Sequence, residues 1–188
     1  MKKDTKQRLF EVMGKLDPSF KRLNENIGDN VVRSTNTDSP TLDLNKTYVQ
    51  NRNKPVGVWY EIDDNWKGWC HYEMPEWIKK YDIVLDVDMA NILKIDTEEK
   101  AYKLLVNYLK KDDEINALDA GLPIDWNKVA NDYKGIEMTN VDLFKMNSTL
   151  IRANWIYNWD VDSGCIWDLS AIKNYSVKDC TEHTIEDN

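Results

Sequence analysis

Three short segments carry side chains that could act together on a bond between a sugar and a base. Arg33-Ser34 follows a short apolar stretch, residues 54–60 (KPVGVWY) form an aromatic strand, and residues 160–164 (DVDSG) precede another strand. An arginine can bind a phosphate or a ribose through two parallel hydrogen bonds, and an aromatic ring can stack on a planar heterocycle. A carboxylate can stabilise the positive charge that develops on a sugar carbon. Together these groups suit the cleavage of an N-glycosidic bond to nicotinamide.

Other common kinds of site find little support in the sequence. The seven glycines are too scattered for a phosphate-binding loop, and the two histidines, His71 and His183, fit no catalytic triad pattern. Cys70-His71 and the pair Cys180 and His183 have donor types that suit zinc, but their spacing matches no common zinc finger. Three cysteines, an odd number, do not make a disulfide framework. We therefore expect no metal site.

Tryptophan is the most distinctive residue of the chain. Seven of the eight tryptophans fall in two groups, within residues 59–77 and 155–167. Because an indole ring is large and carries an N–H that needs a partner, such groups indicate either a hydrophobic core or a stacking pocket. The sequence leaves both interpretations open.

The elements that must position these residues indicate an α+β domain. Runs of β-branched and aromatic residues predict strands near residues 56–62, 83–88, 135–138 and 165–169. Capping residues predict helices from Asn65, from the Asp96-Thr97-Glu98-Glu99 segment to about Lys111, and over residues 125–133, with a helical turn from Pro75. Because the strands and helices do not alternate regularly, the pattern favours α+β over a parallel α/β fold.

The ends of the chain differ from its middle in charge. The net charge is −8, yet residues 1–22 carry seven basic against three acidic residues, and residues 173–188 carry two against four. Such a balance disfavours a general nucleic-acid binder.

Residues 4–16 have the apolar spacing of an amphipathic helix, so we predict a leader and linker at 1–30, a domain at 31–172 and a fraying acidic tail at 173–188. The leader could contact its own domain or a partner. With no apolar run near ~20 residues and no signal peptide, we expect a soluble, intracellular protein without membrane contact.

Three strings resemble motifs of the ADP-ribosyltransferase fold. KPVGVWYEIDDNWKGWC is similar to the second-strand motif of phage and bacterial relatives, IDWNKVANDYKGIEM to their helix-then-strand segment, and WDVDSGCIWDL to their closing strand. The resemblance covers about residues 31–172, with the motifs in the family's order. It implies one compact domain that uses NAD as a substrate.

The resemblance also assigns roles to particular residues. It implies that Arg33 lies where the family places its NAD-binding residue on the first strand, and that Tyr60 packs against nicotinamide. The full set implied to bind NAD is Arg33, Ser34, Gly57, Trp59 and Tyr60. The family's third motif normally supplies a catalytic Glu. The candidates in this chain are Asp162 and Asp160, with Glu137 as a less favoured third.

A second resemblance concerns the leader. KQRLFEVMGKLDPSFKRLNEN is similar to N-terminal segments that recur ahead of different domains in crAss-like phages of gut Bacteroidales. It implies a phage-encoded protein that acts in the host cytoplasm or is loaded into the virion. Two functions follow as hypotheses: a mono-ADP-ribosyltransferase that modifies a host protein or nucleic acid, or a structural or cargo protein of the virion that keeps the fold without catalysis. Nicotinamide release from NAD distinguishes them.

Overall fold

The computed structural model describes residues 31–110, 124–146 and 155–180. Its strands are β1 (Arg33–Thr37), β2 (Val58–Ile62), β3 (Tyr81–Val87), β4 (Ile92–Ile95), β5 (Gly135–Met138), β6 (Ser163–Ile166) and β7 (Ile172–Asp179). Its α-helices are α1 (Asn65–Glu73), α2 (Glu98–Tyr108), α3 (Trp126–Asp132) and α4 (Val141–Met146). Short 3-10 turns span Pro75–Trp77, Met89–Asn91, Trp155–Asn158 and Leu169–Ala171. The predicted α+β class is confirmed.

All seven strands join one mixed sheet in the order β4-β5-β6-β2-β1-β3-β7. Only the pair β4 and β5 runs parallel among these strands, and every other neighbouring pair is antiparallel. The three segments singled out in the sequence therefore lie on adjacent strands, because β1 pairs with β2 and β2 pairs with β6.

An apolar cluster joins helices α2, α3 and α4 to strands β4, β5 and β6. Ala101, Leu104 and Leu105 of α2 are buried in it, and they join Ile136 and Met138 of β5. Four tryptophans belong to this cluster: Trp126, Trp155, Trp159 and Trp167. The core interpretation is therefore confirmed for the second tryptophan group, Trp155, Trp159 and Trp167.

Capping residues correctly predicted where α2 and α3 begin, but not which residue caps α1. The Thr97 hydroxyl accepts a hydrogen bond from the Lys100 amide at the start of α2, and Asp125 accepts from two amides at the start of α3. The prediction that Asn65 caps α1 is wrong, because Asn65 is the first helical residue. Asp64 precedes it in a left-handed conformation (φ 61°), and its carboxylate pairs with Lys67 at 2.8 Å.

The strand predictions fail at the end of the domain. Residues 173–179 do not fray but belong to β7, an edge strand paired along its length with β3. Only its first residue, Ile172, is buried, and most of the other residues are polar, which is why the segment resembles a polar tail in sequence. The strand predicted at 165–169 spans Ser163–Ile166 instead, while Ile92–Ile95 forms a short strand that was not predicted.

Other predictions concern residues outside the described ranges. The leader helix at 4–16 and its linker belong to this part of the chain, as do residues 181–188 of the tail. Among the described residues, no helix combines the length and the apolar character that crossing a bilayer requires.

Candidate functional site

A pocket of about 280 Å³ opens beside strands β1, β2 and β6. Four of the seven residues predicted to bind NAD or to catalyse its cleavage line it: Ser34, Trp59, Tyr60 and Asp160. We call this cavity the Trp59 pocket. Its other lining residues include Lys54, Glu61, Trp66 and Ser163. The arrangement offers an indole face beside carboxylates, a combination that suits a flat ligand with hydrogen-bond donors or positive charge.

A row of polar side chains crosses the three strands at this pocket. Ser34 of β1 lies opposite Glu61 of β2, and Glu61 lies opposite Ser163 of β6. Because directly paired residues share a face of the sheet, these three side chains project from the same face. All three are buried, with exposed fractions of 2%, 3% and 9%.

Glu61 is held in place by Lys67 of α1. One carboxylate oxygen of Glu61 accepts from the Lys67 amide at 3.0 Å, and the other lies 3.8 Å from the Lys67 ammonium. Burial raises the pKa of Glu61, although the contacts with Lys67 oppose the shift. Burial disfavours the Lys67 ammonium, but hydrogen bonds to Asp64 and Asp82 outweigh it and raise the pKa of Lys67. The Lys67 ammonium is therefore ionised, and it pairs with the carboxylates of Glu61, Asp64 and Asp82 at the start of α1.

Other tryptophan rings pack against Trp59 and Trp66, the two indole rings that line the pocket. The Trp59 ring contacts Trp159 edge to face, with centroids 5.1 Å apart, and its indole N–H donates to the Pro55 carbonyl. Trp66 stacks on Trp69 at 5.0 Å and also lies against Trp77. The interpretation of the first tryptophan group as a stacking pocket thus fits Trp59 and Trp66, which both line the cavity.

Arg33 forms a different constellation on the opposite face of the sheet. Its guanidinium binds Glu137 of β5 through Nε to Oε2 at 2.5 Å and Nη2 to Oε1 at 3.1 Å. The Tyr60 hydroxyl donates to the same carboxylate at 3.1 Å. Glu137 and Tyr60 are buried, and burial together with the neighbouring Glu137 raises the pKa of the Tyr60 hydroxyl. We call these three residues the Arg33 network.

Glycine at position 164 makes room for the network. Tyr60 and Glu137 lie on either side of Gly164 in one cross-strand row. A Cβ atom at this position would lie 2.2 Å from the Tyr60 ring, closer than any real contact. The ring can therefore lie across β6 only because residue 164 has no side chain.

Asp162 has a structural contact that explains its position. Its two carboxylate oxygens accept hydrogen bonds from the Asn140 amide at 3.1 Å and the Val141 amide at 3.0 Å. These amides stand at the start of α4, where the first N–H groups of a helix lack intrahelical partners. The carboxylate of Asp162 thus ties the turn before β6 to α4 instead of lining the pocket.

Replacing Asp162 by Asn should therefore change stability more than chemistry. The amide side chain keeps one acceptor and loses the other, so we expect the free energy of unfolding to fall by about 1 kcal/mol, the usual cost of a weakened cap. Urea unfolding measures this change. NAD binding and any nicotinamide release should stay at the wild-type level. A folded Asp162→Asn protein that had lost nicotinamide release would contradict this assignment.

The structure divides the predicted site residues into separate groups. Ser34, Trp59 and Asp160 lie at the Trp59 pocket, whereas Arg33 does not line it and instead binds Glu137. Gly57 packs against β6, where a Cβ atom would lie 2.3 Å from the Ile166 carbonyl oxygen. Tyr60 takes part in both places, since it lines the pocket while its hydroxyl reaches Glu137.

Sequence reasoning missed Glu61 and Ser163 as pocket residues. The sequence did contain a signal for Glu61. Strand alternation places it on the same face as Trp59, and a charged residue within an apolar strand is rarely buried unless it is paired. The sequence contained no such signal for Ser163, because this residue belongs to a strand only through its pairing with Glu61. Within the described ranges, no group of three or more His, Cys, Asp or Glu side chains could hold a metal ion.

Comparison of the chain with known proteins adds no further constraint. No family model, no curated protein and no solved structure matches it.

Proposed function

We propose that the Trp59 pocket binds the nicotinamide end of NAD and that the protein transfers ADP-ribose from it to a host macromolecule. The observation that carries the proposal is the meeting of Ser34, Trp59 and Asp160 at one cavity. These residues come from three segments of the chain, and the resemblance to ADP-ribosyltransferases implied a common role for them. The cavity, at about 280 Å³, is slightly smaller than typical ligand pockets, which span roughly 300–1,000 Å³. It suits one end of a dinucleotide better than the whole.

The chemistry requires a leaving group held flat and a carboxylate near the reacting carbon. When the bond between nicotinamide and ribose breaks, its electron pair leaves with the ring and positive charge grows on the ribose carbon. An acceptor group of the target then attacks that carbon and loses its proton. The Trp59 ring offers a stacking face for nicotinamide. The Asp160 carboxylate can stabilise the charge, because it lines the pocket and is accessible to a ligand there.

This assignment changes the roles that the resemblance implied for two residues. Asp160 replaces Asp162 as the favoured carboxylate, because both Asp162 oxygens bind backbone amides. Arg33 becomes a structural residue of the opposite face, because Glu137 binds its guanidinium. Ser34 lines the pocket, where it can contact the ligand, and its hydroxyl donates a hydrogen bond to Glu61 at 3.4 Å.

NAD binding and nicotinamide release by the full chain test the proposal. We expect saturable NAD binding, and release of nicotinamide when host lysate supplies the acceptor. Trp59→Leu should weaken NAD binding by about 10-fold or more, since base stacking on an aromatic ring contributes roughly 1–3 kcal/mol. Tyr72→Leu is the control, because Tyr72 is an exposed aromatic residue that does not line the pocket.

The same experiment separates the rival function. Binding of NAD without nicotinamide release would support a non-catalytic protein of the phage particle and contradict the transferase. Wild-type protein that does not bind NAD at all would overturn the assignment of the pocket.

A further inference from the structure

We propose that the Trp59 pocket is a site for a planar organic cation and that Lys54 occupies it as a built-in competitor. The inference concerns the same cavity as the proposed function and takes from it only the choice of nicotinamide-like ligands. It does not require that NAD be cleaved.

The first observation is a cation already seated in the pocket. The Lys54 ammonium lies 4.2 Å from the centroid of the Trp59 ring, and both residues line the cavity. Attraction between a cation and an indole face is strongest when the cation is partly desolvated. Lys54 is half-buried, and this burial lowers its pKa, although Asp160 opposes the shift. Lys54 therefore occupies the place on the ring where a ligand cation would bind.

The second observation is the charge around the cavity. Glu61 and Asp160 line it, and Asp64 and Asp82 pair with the Lys67 ammonium, which also lies near Glu61. These four carboxylates face two ammonium groups, those of Lys54 and Lys67. The local excess is two negative charges, which favours a cation within the cleft.

The third observation concerns the shape of the walls. The Trp66 ring is held nearly parallel to Trp69, with an angle of 16° between the two planes. Two indole rings, those of Trp59 and Trp66, therefore line one small cavity in fixed positions. A flat cation such as a pyridinium uses both the ring faces and the carboxylates, whereas a compact ammonium fits the rings less fully.

The position of Lys54 affects how strongly the pocket binds a cation. A ligand cation must displace its ammonium from Trp59, so the lysine lowers the affinity that the pocket would otherwise have. Removing the charge should strengthen the binding of a cation. If Lys54 instead recognised an anionic group of the ligand, its removal would weaken binding, so the sign of the effect decides between the two roles.

Titration calorimetry with the full chain tests this inference. The probes are 1-methylnicotinamide, a planar cation, and nicotinamide, its neutral analogue. We expect the cation to bind wild-type protein about 2- to 30-fold more tightly than nicotinamide, the range of a cation–π contact. Lys54→Met, which keeps an apolar side chain of similar length, should tighten 1-methylnicotinamide binding by at least about 2-fold and should tighten nicotinamide binding less, because the loss of the ammonium frees the ring for both probes but removes charge repulsion only for the cation.

Lys46→Met is the matched control for Lys54→Met. The Lys46 ammonium lies 5.1 Å from the Tyr48 ring, a similar contact that is not part of the pocket lining. Its replacement should change neither affinity. Equal affinities for the two probes, or weaker cation binding by Lys54→Met, would overturn the inference while NAD binding still decided the proposed function. Absence of NAD binding, with the cation preference intact, would overturn only the proposed function.

Discussion

Glu137→Gln should lower the free energy of unfolding by about 3–5 kcal/mol, the usual cost of breaking a buried ion pair by removing one partner. The Glu137 carboxylate accepts two hydrogen bonds from the Arg33 guanidinium and one from the Tyr60 hydroxyl. Both ends of the pair are shielded, with side-chain exposed fractions of 15% for Arg33 and 6% for Glu137. A glutamine has a similar shape but lacks the charge, and it presents one oxygen where the carboxylate presents two. Urea unfolding measures the loss.

An exposed ion pair of the same chain serves as the control. Glu99 and Lys103 pair at 2.7 Å on the surface of α2, where both side chains are about half exposed or more. Glu99→Gln should cost less than about 0.5 kcal/mol, as is typical of helical surface pairs. Similar losses for Glu137→Gln and Glu99→Gln would show that the Arg33 network does not stabilise the sheet.

Asp160→Asn should slow nicotinamide release by about 100- to 1,000-fold if the protein transfers ADP-ribose. One preorganised electrostatic contact with a developing charge contributes about 3–4 kcal/mol to the transition state. The substitution preserves the shape of the side chain and removes its charge. Because the charge of the ribose carbon grows only as the bond breaks, NAD binding should weaken far less, by a few-fold. Single-turnover assays with saturating NAD separate the two effects.

Asp162→Asn provides the matched control for Asp160→Asn. The two residues are two positions apart and have the same side chain, but both Asp162 oxygens bind amides at the start of α4. Wild-type release rates in Asp160→Asn would remove the Asp160 carboxylate from the proposed mechanism. A strong loss in Asp162→Asn alone would return the catalytic role to that residue.

The sequence by itself determined those elements whose signals are local. Helix α2 follows its Thr97 cap and α3 follows Asp125, because a capping side chain bonds to amides two or three residues away. Strands β2 and β5 are runs of residues suited to a pleated, buried surface, and both lie where they were predicted. The α+β class followed from the order of such elements.

Strand alternation is a local signal that divides the predicted site into two faces. Trp59 and Tyr60 are neighbours on β2, so their side chains point to opposite faces of the sheet. Glu61, two positions after Trp59, shares the face of Trp59. Placing all aromatic residues of this strand in one site disregards that period of two.

Only the tertiary structure decided which residues meet. Arg33 and Glu137 are 104 positions apart, and their contact depends on the sheet order that brings β1, β2, β6 and β5 side by side. β7 is a strand because the backbone of β3 pairs with it, not because its own side chains favour one. Asp162 caps a helix that starts 21 positions before it. In each case a partner distant in the chain supplies the stabilising contact, and a local pattern carries no record of that partner.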